Sequence, residues 1–194
     1  ADWDYNVDAP TVMPLGGSQS AMCYLAVELA TIGHAVTVMS GTKRPATVSG
    51  VECINASQCS GPFFRERKFD AVVVLNSSEG SKRRADLPSF TKLILWTQHE
   101  PVQPAMHKLA DPDVGDRWDG IVCVSDWQRN SYLETFNLAS NKLTVIRNAI
   151  APSFEKLFRS PDDLVRAKSG PLMLAYTSTP FRGLHLLLEI FPEF

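Results

Sequence analysis

Short, nearly continuous apolar runs recur along the chain, and each stops at a polar or turn-forming cluster. Residues 35–39 (AVTVM) end at Ser40-Gly41, residues 69–75 (FDAVVVL) at Asn76-Ser77-Ser78, and residues 93–96 (LILW) at Thr97-Gln98-His99-Glu100-Pro101. Residues 120–124 end at Ser125-Asp126, residues 143–146 at Arg147-Asn148, and residues 172–176 at Thr177-Ser178. Runs that are apolar at successive positions suit parallel strands covered on both faces. Helical patterns lie between them. Residues 18–32 put Met22, Leu25, Leu29 and Ile32 on one face and stop at Gly33. Residues 126–136 follow a Ser125-Asp126 cap, with Tyr132, Leu133 and Phe136 apolar, and residues 182–190 form a third pattern. The alternation predicts βαβ units and an α/β fold: a Rossmann-like, doubly wound parallel sheet.

Composition supports one full core. The chain has 194 residues, of which 44% are hydrophobic, too many for an intrinsically disordered segment. Its 19 basic and 21 acidic residues leave a net charge of −2, so no global attraction to nucleic acid is expected. No apolar run is long enough to span a bilayer, and no secretory signal is read at the start, so a cytoplasmic place is expected. Four cysteines are too few for a disulfide framework. Cys23 and Cys123 read as small buried hydrophobes, and Cys53 and Cys59 as free thiols in a turn-rich stretch without the second ligand pair a zinc site needs. No metal site is expected. Asn55-Ala56-Ser57 fits a glycosylation sequon and is discounted in a cytoplasmic chain. The basic residues Lys82, Arg83, Arg84 and Arg65, Arg67, Lys68 read as solvated faces, with contact to an anionic membrane surface the weaker reading.

The two ends depart from the pattern. A doubly wound domain opens with a strand before its first ligand-facing loop. Residues 2–14, polar and proline-containing, do not read as one. After residue 150 the chain turns polar, and one strand and one helix follow. The expected organisation is a Rossmann-like domain over 1–155, a linker over 156–170, and the start of an incomplete second domain over 171–194, with truncation at both ends. An absent first strand would leave a gap in the sheet. Residues 172–176 are the expected candidate to fill it, in cis or by swapping.

In open α/β sheets ligands bind beyond the carboxyl ends of the strands. The candidate residues are accordingly those that follow each run. Gly16 and Gly17 lead into the first helix, where a backbone without side chains and a helix N-terminus suit a phosphate or a sugar hydroxyl. Ser18, Gln98, Glu100, Ser125 and Asn148 are candidate cleft-lining residues. His99 can donate a hydrogen bond or serve as acid or base. Arg182, at a strand-to-helix turn, can clamp a diphosphate.

Four segments in order carry a resemblance. They are Pro14-Leu15-Gly16-Gly17-Ser18 running on to Gly33-His34-Ala35-Val36, then Val124-Ser125-Asp126, Val145-Ile146-Arg147-Asn148-Ala149-Ile150, and Tyr176-Thr177-Ser178-Thr179-Pro180-Phe181-Arg182-Gly183-Leu184. Together they resemble family 4 glycosyltransferases of the GT-B fold, over the N-terminal domain and the start of the C-terminal one. The resemblance implies a retaining, metal-independent hexosyltransferase without a cofactor, moving sugar from a UDP- or GDP-sugar donor to a glycan or lipid-linked acceptor, as in polysaccharide biosynthesis. It implies that Gly16 and Gly17 approach the donor diphosphate or sugar. His99 would hydrogen-bond the transferred sugar as the catalytic residue, and Arg182 would neutralise the leaving diphosphate. Arg147 and Ala149 replace the family's Pro and Gly, and Ser178 stands where many members have Gly-Arg, so one usual phosphate-binding Arg is absent. A fragment of this kind is expected to be inactive alone, to sit in the cytoplasm or peripherally on a membrane, and to self-associate through the incomplete domain (Leu184, Leu187, Leu188, Phe191). A non-catalytic glycan- or partner-binding module derived from the same fold is the alternative.

Overall fold

The computed structural model describes residues 3–171, 173–178 and 182–191. The chain divides into two compact units, one through Ala151 and one from Pro152.

The first unit is a Rossmann-like α/β structure. After the short helix α1 (Ala9–Val12), helix α2 (Gly17–Thr31) leads into β1 (Val36–Ser40). The hairpin β2 (Ala46–Val48) and β3 (Val51–Asn55) follows, then α3 (Gly61–Arg67) and β4 (Ala71–Leu75). Next come β5 (Lys92–Thr97), α4 (Pro112–Asp116), β6 (Gly120–Cys123), α5 (Asp126–Thr135) and β7 (Leu143–Val145). Two 3-10 stretches, Ser78–Ala85 and Pro104–Ala110, carry the β4–β5 and β5–β6 crossovers. Strands β4, β5, β6 and β7 form an all-parallel sheet in that order. Strands β1 and β3 pair in parallel in a second sheet, with β2 antiparallel on the outer side of β3.

Register defines the two faces. Val72 lies beside Leu93 and Val74 beside Leu95, and Leu95 lies beside Ile121. This face carries the main core, in which Leu93, Leu95, Ile121, Cys123, Met106, Trp118 and Tyr132 are buried. Met39 of β1 and Ile54 of β3 pack against the same core, although they belong to the other sheet. The opposite face of β1 and β3, with Val38, Val51 and Cys53, packs against Cys23 and Ala26 of α2. Helices therefore cover both faces, with α2 on one side and α5 on the other. Each full burial of a Leu or Ile side chain contributes roughly 1.5–3 kcal/mol by removing apolar area from water.

Several expectations are corrected here. The fully buried residues of α2 are Cys23 and Ala26; Met22 of the expected stripe packs beside them with Val27 and Ala30, while Leu25 and Ile32 are exposed. Small side chains at the two buried positions let the helix approach the strands closely. Cys53 lies on β3 and not in a turn. The hairpin that places it there closes on Ser49 and Gly50, both at positive φ (50° and 78°). Such a turn matches the twist of its flanking strands. All four cysteines are free and buried. The basic runs are not simply solvated. Arg84 Nη1 reaches Asp119 and the Thr91 carbonyl (3.0 Å each), while Arg67 makes a bidentate pair with Glu52 (2.7 Å) and stacks on Phe63. Asn55 is engaged too, accepting from Ser57 N–H (2.9 Å) and donating to the Thr42 carbonyl (2.7 Å).

In the second unit, residues 161–167 of the expected linker form a helix, α6 (Pro161–Ala167), opened by Ser160 accepting from Asp163 N–H. Helix α7 (Leu184–Ile190) matches the third helical pattern. Residues 173–176 form no strand and join no ladder, so they do not fill a gap in the sheet. An apolar run becomes a strand only where another strand's edge is offered to it. Residues 172, 179–181 and 192–194 lie outside the described residues. Among the described residues, no helix is long and apolar enough to cross a membrane.

Candidate functional site

The carboxyl ends of β4, β5 and β6 meet the start of α2 in one polar cluster. Asn76, the first residue after β4, adopts a left-handed backbone (φ 53°) that turns the chain sharply and aims its amide along the strand ends. Asn76 Nδ2 donates to Ser18 Oγ (2.8 Å), and Ser18 Oγ donates to Gln98 Oε1 (3.0 Å). Gln98 N–H closes the loop onto Asn76 Oδ1 (2.7 Å). Ser18 thus ties the first turn of α2 to two strand ends. Gln98 Nε2 is buried and finds no partner among the described residues. A buried amide donor left in this way is an open position for an acceptor atom.

His99 sits on a buried shelf. Its N–H donates to Thr97 Oγ1 (3.1 Å), and its carbonyl accepts from Gln128 Nε2 (2.8 Å) and Tyr132 Oη (2.9 Å). Thr97, Gln128 and Tyr132 are all buried. Gln128 also accepts from Val124 N–H (2.7 Å), so one side chain locks the ends of β5 and β6 together. Ser125 caps α5 through Gln128 N–H (3.1 Å). Above this shelf lies a cleft of about 180 Å³ lined by Gln98, His99, Glu100, Val124, Ser125, Trp127 and Gln128. Trp127 is 64% exposed, an indole face held at the rim.

The expected residues are therefore placed as follows. Ser18, Gln98, His99, Glu100 and Ser125 belong to one neighbourhood in the first unit. Gly16 caps α2 with an extended backbone (φ −64°, ψ 150°). Gly17 faces open space, and a Cβ there would meet nothing within 4 Å. Asn148 is exposed after β7 and does not line the cleft. Arg182 is exposed in the second unit, at the turn before α7. The sequence reading missed Gln128 and the hub role of Asn76. An Asn directly after a strand, where a left-handed turn is needed, was the available signal for Asn76. Gln128 looks like an ordinary position on the first turn of a helix.

The groups whose protonation is most displaced lie beneath or away from the cleft. Burial pushes the Tyr132 phenol up to about 12, and it pushes the Cys123 thiol up to about 11. Burial works against the Asp119 carboxylate, but the Leu93 N–H together with Lys92 and Arg84 outweighs it and holds the carboxyl below its ordinary range. Asp119 lies at the amino end of β6, opposite the cleft, and fastens β5 and β6 there. The cleft itself offers an amide donor, an imidazole, a carboxylate, a helix-capping hydroxyl and an aromatic rim. That set suits recognition of a polar, hydroxyl-rich molecule with an apolar side.

No family model matches this chain, and no curated protein matches it either.

Proposed function

We propose that this chain is the acceptor-side portion of a retaining, metal-independent glycosyltransferase that uses a nucleotide-sugar donor. The observation that carries the reading is the cleft at the carboxyl ends of β5 and β6, where the buried Gln98 Nε2, without a partner among the described residues, stands beside His99 and the exposed Trp127. In the proposed reaction the bond from the anomeric carbon to the diphosphate oxygen breaks. A bond from the acceptor hydroxyl oxygen to that carbon forms, and the hydroxyl proton leaves with the departing diphosphate. His99 and Gln98 hydrogen-bond the sugar, and Trp127 stacks against its apolar face. Gly16 and Gly17 admit the donor close to the start of α2, whose N-terminal N–H groups favour negative charge. Arg182 neutralises the diphosphate, the role the family resemblance gives it.

A non-catalytic glycan-binding module of the same fold is the second reading, favoured by the hydrogen-bonded shelf under the His99 backbone, which ties the ends of β5 and β6 together beneath the cleft. Calorimetric titration separates the two. Saturable binding of UDP, GDP or their sugars, weakened roughly tenfold or more by Arg182→Ala, supports the transferase. Binding of an acceptor glycan alone, lost in Trp127→Ala and unaffected by nucleotide, supports the module. Absent turnover by the intact gene product across a broad donor and acceptor panel would sink the transferase reading.

A further inference from the structure

The hydrogen bonds around Gln98 run in one direction. Its backbone N–H can only donate, so Asn76 turns Oδ1 toward it (2.7 Å) and Nδ2 toward Ser18 (2.8 Å). Asn76 Nδ2 also can only donate, so Ser18 Oγ accepts from it and keeps its own proton to give. Among the described residues that proton has no acceptor other than Gln98, which therefore presents Oε1 (3.0 Å). The relay starts at a backbone N–H and fixes the orientation of the Gln98 amide. Nε2, a pure donor, is left as its buried end with no partner among the described residues. The soft terminal torsion of Gln98 lets Nε2 turn to the cleft while Oε1 stays on Ser18.

The shelf below is the converse case, because its oxygens are already bonded. The His99 carbonyl accepts from both Gln128 Nε2 (2.8 Å) and Tyr132 Oη (2.9 Å), and the Thr97 carbonyl accepts from Gln128 Nε2 (3.2 Å). Gln128 Oε1 accepts from Val124 N–H (2.7 Å). A ligand hydroxyl set against Gln98 would bring a proton to a shelf whose carbonyl and amide oxygens are taken. An oxygen with lone pairs and no proton suits the position: a carbonyl, carboxylate or phosphoryl oxygen. Glu100 lines the same cleft, and its carboxylate disfavours a second anion there. A neutral carbonyl remains. Val124 and the Trp127 indole offer its substituent apolar contact, and the exposed Glu100 offers an acceptor to an adjoining N–H.

We infer that the Gln98 end of the cleft selects a sugar carrying an acylamino group, whose carbonyl oxygen accepts from Nε2, with Ser18 and Asn76 as positioning residues that fix the polarity of the amide. This specificity rests on the cleft being a sugar site, which the transferase and the binding module share.

The test titrates the whole chain with two pairs of methyl glycosides, those of glucose and N-acetylglucosamine and those of galactose and N-acetylgalactosamine, and follows the side-chain amide resonances of Gln98. The acylated member of at least one pair is expected to bind roughly tenfold tighter than its unacylated partner and to shift the Gln98 amide, the effect of one buried hydrogen bond. Gln98→Glu replaces the donor by an acceptor and should erase or invert that preference. Ser18→Ala releases the amide and should reduce the preference severalfold. Unacylated sugars bound as tightly as the acylated ones in both pairs would overturn the acylamino specificity and leave the sugar site standing. A preference that survives intact in Gln98→Glu would overturn the assignment to Nε2, and one that survives intact in Ser18→Ala would overturn the positioning role. Binding of none of the four glycosides would overturn the specificity together with the sugar site.

Discussion

Asn76 concentrates three demands on one side chain. It must tolerate positive φ, donate to Ser18, and accept from Gln98 N–H. Asn76→Gly keeps the turn and loses both bonds, whereas Asn76→Ala loses the bonds and strains the backbone. Urea unfolding should place Asn76→Ala about 1–3 kcal/mol below the parent, with Asn76→Gly losing less. Buried phenols and thiols set a second expectation. Tyr5 and Tyr132 are raised to about 12, Cys23 to about 12 and Cys123 to about 11, in each case chiefly by burial. The native state then holds protons that the unfolded chain releases first. Stability is complete below the unfolded thiol value near 9, and it falls as pH rises through the interval up to about 12. Thermal melts across that range should show the decline, and Tyr132→Phe should flatten its upper part. A melting temperature that stays level to pH 12 would contradict the buried assignments.

At the level of elements, the contact between the Ser78–Ala85 stretch and β4 depends on a glycine packed against a branched side chain. A Cβ at Gly80 would meet Val74 Cγ2 at 2.8 Å and Val74 Cβ at 3.0 Å. Val74 is β-branched and cannot swing aside. Gly80→Ala should therefore destabilise by about 1–3 kcal/mol in chemical unfolding, against little effect for Gly17→Ala, which has open space. The same elements show what could be read in advance. Strands β1, β4, β5, β6 and β7 were legible because a strand buried on a covered face is written as an unbroken apolar run. The β2–β3 hairpin was not, because Thr47 and Glu52 interrupt its apolar residues and only Ser49-Gly50 marks the turn. Residues 173–176 have the composition of a strand and form none, and composition says nothing about neighbours. Around the cleft, Gln98, His99 and Ser125 stand where strand-end logic looks for them, and Ser18 stands in the adjoining polar cluster. Gln128 depends on how the first turn of α5 is set against β5, which is a tertiary fact.

Over the whole molecule, order is unevenly distributed. The first unit holds the buried core, while the second has no fully buried residue among those described, and Met173, Leu188 and Val165 are widely exposed. Few buried contacts mean a low free energy for local opening. Brief trypsin digestion should cut first at Lys156, Arg159, Arg166 and Lys168, leaving a resistant fragment that mass spectrometry assigns to the first unit. Early cleavage at Lys92 or Arg129 instead would show that the first unit opens as readily. The tryptophans are distributed just as unevenly. Of the four, Trp118 is sealed in the core, Trp96 is half-buried on β5, and Trp3 lies on the N-terminal segment. Only Trp127 stands at the rim of the cleft. The molecule thus carries its own optical reporter. A ligand settling against that indole strips water from one fluorophore, moves its emission toward the blue, and shields it from iodide, so occupancy can be followed without a label.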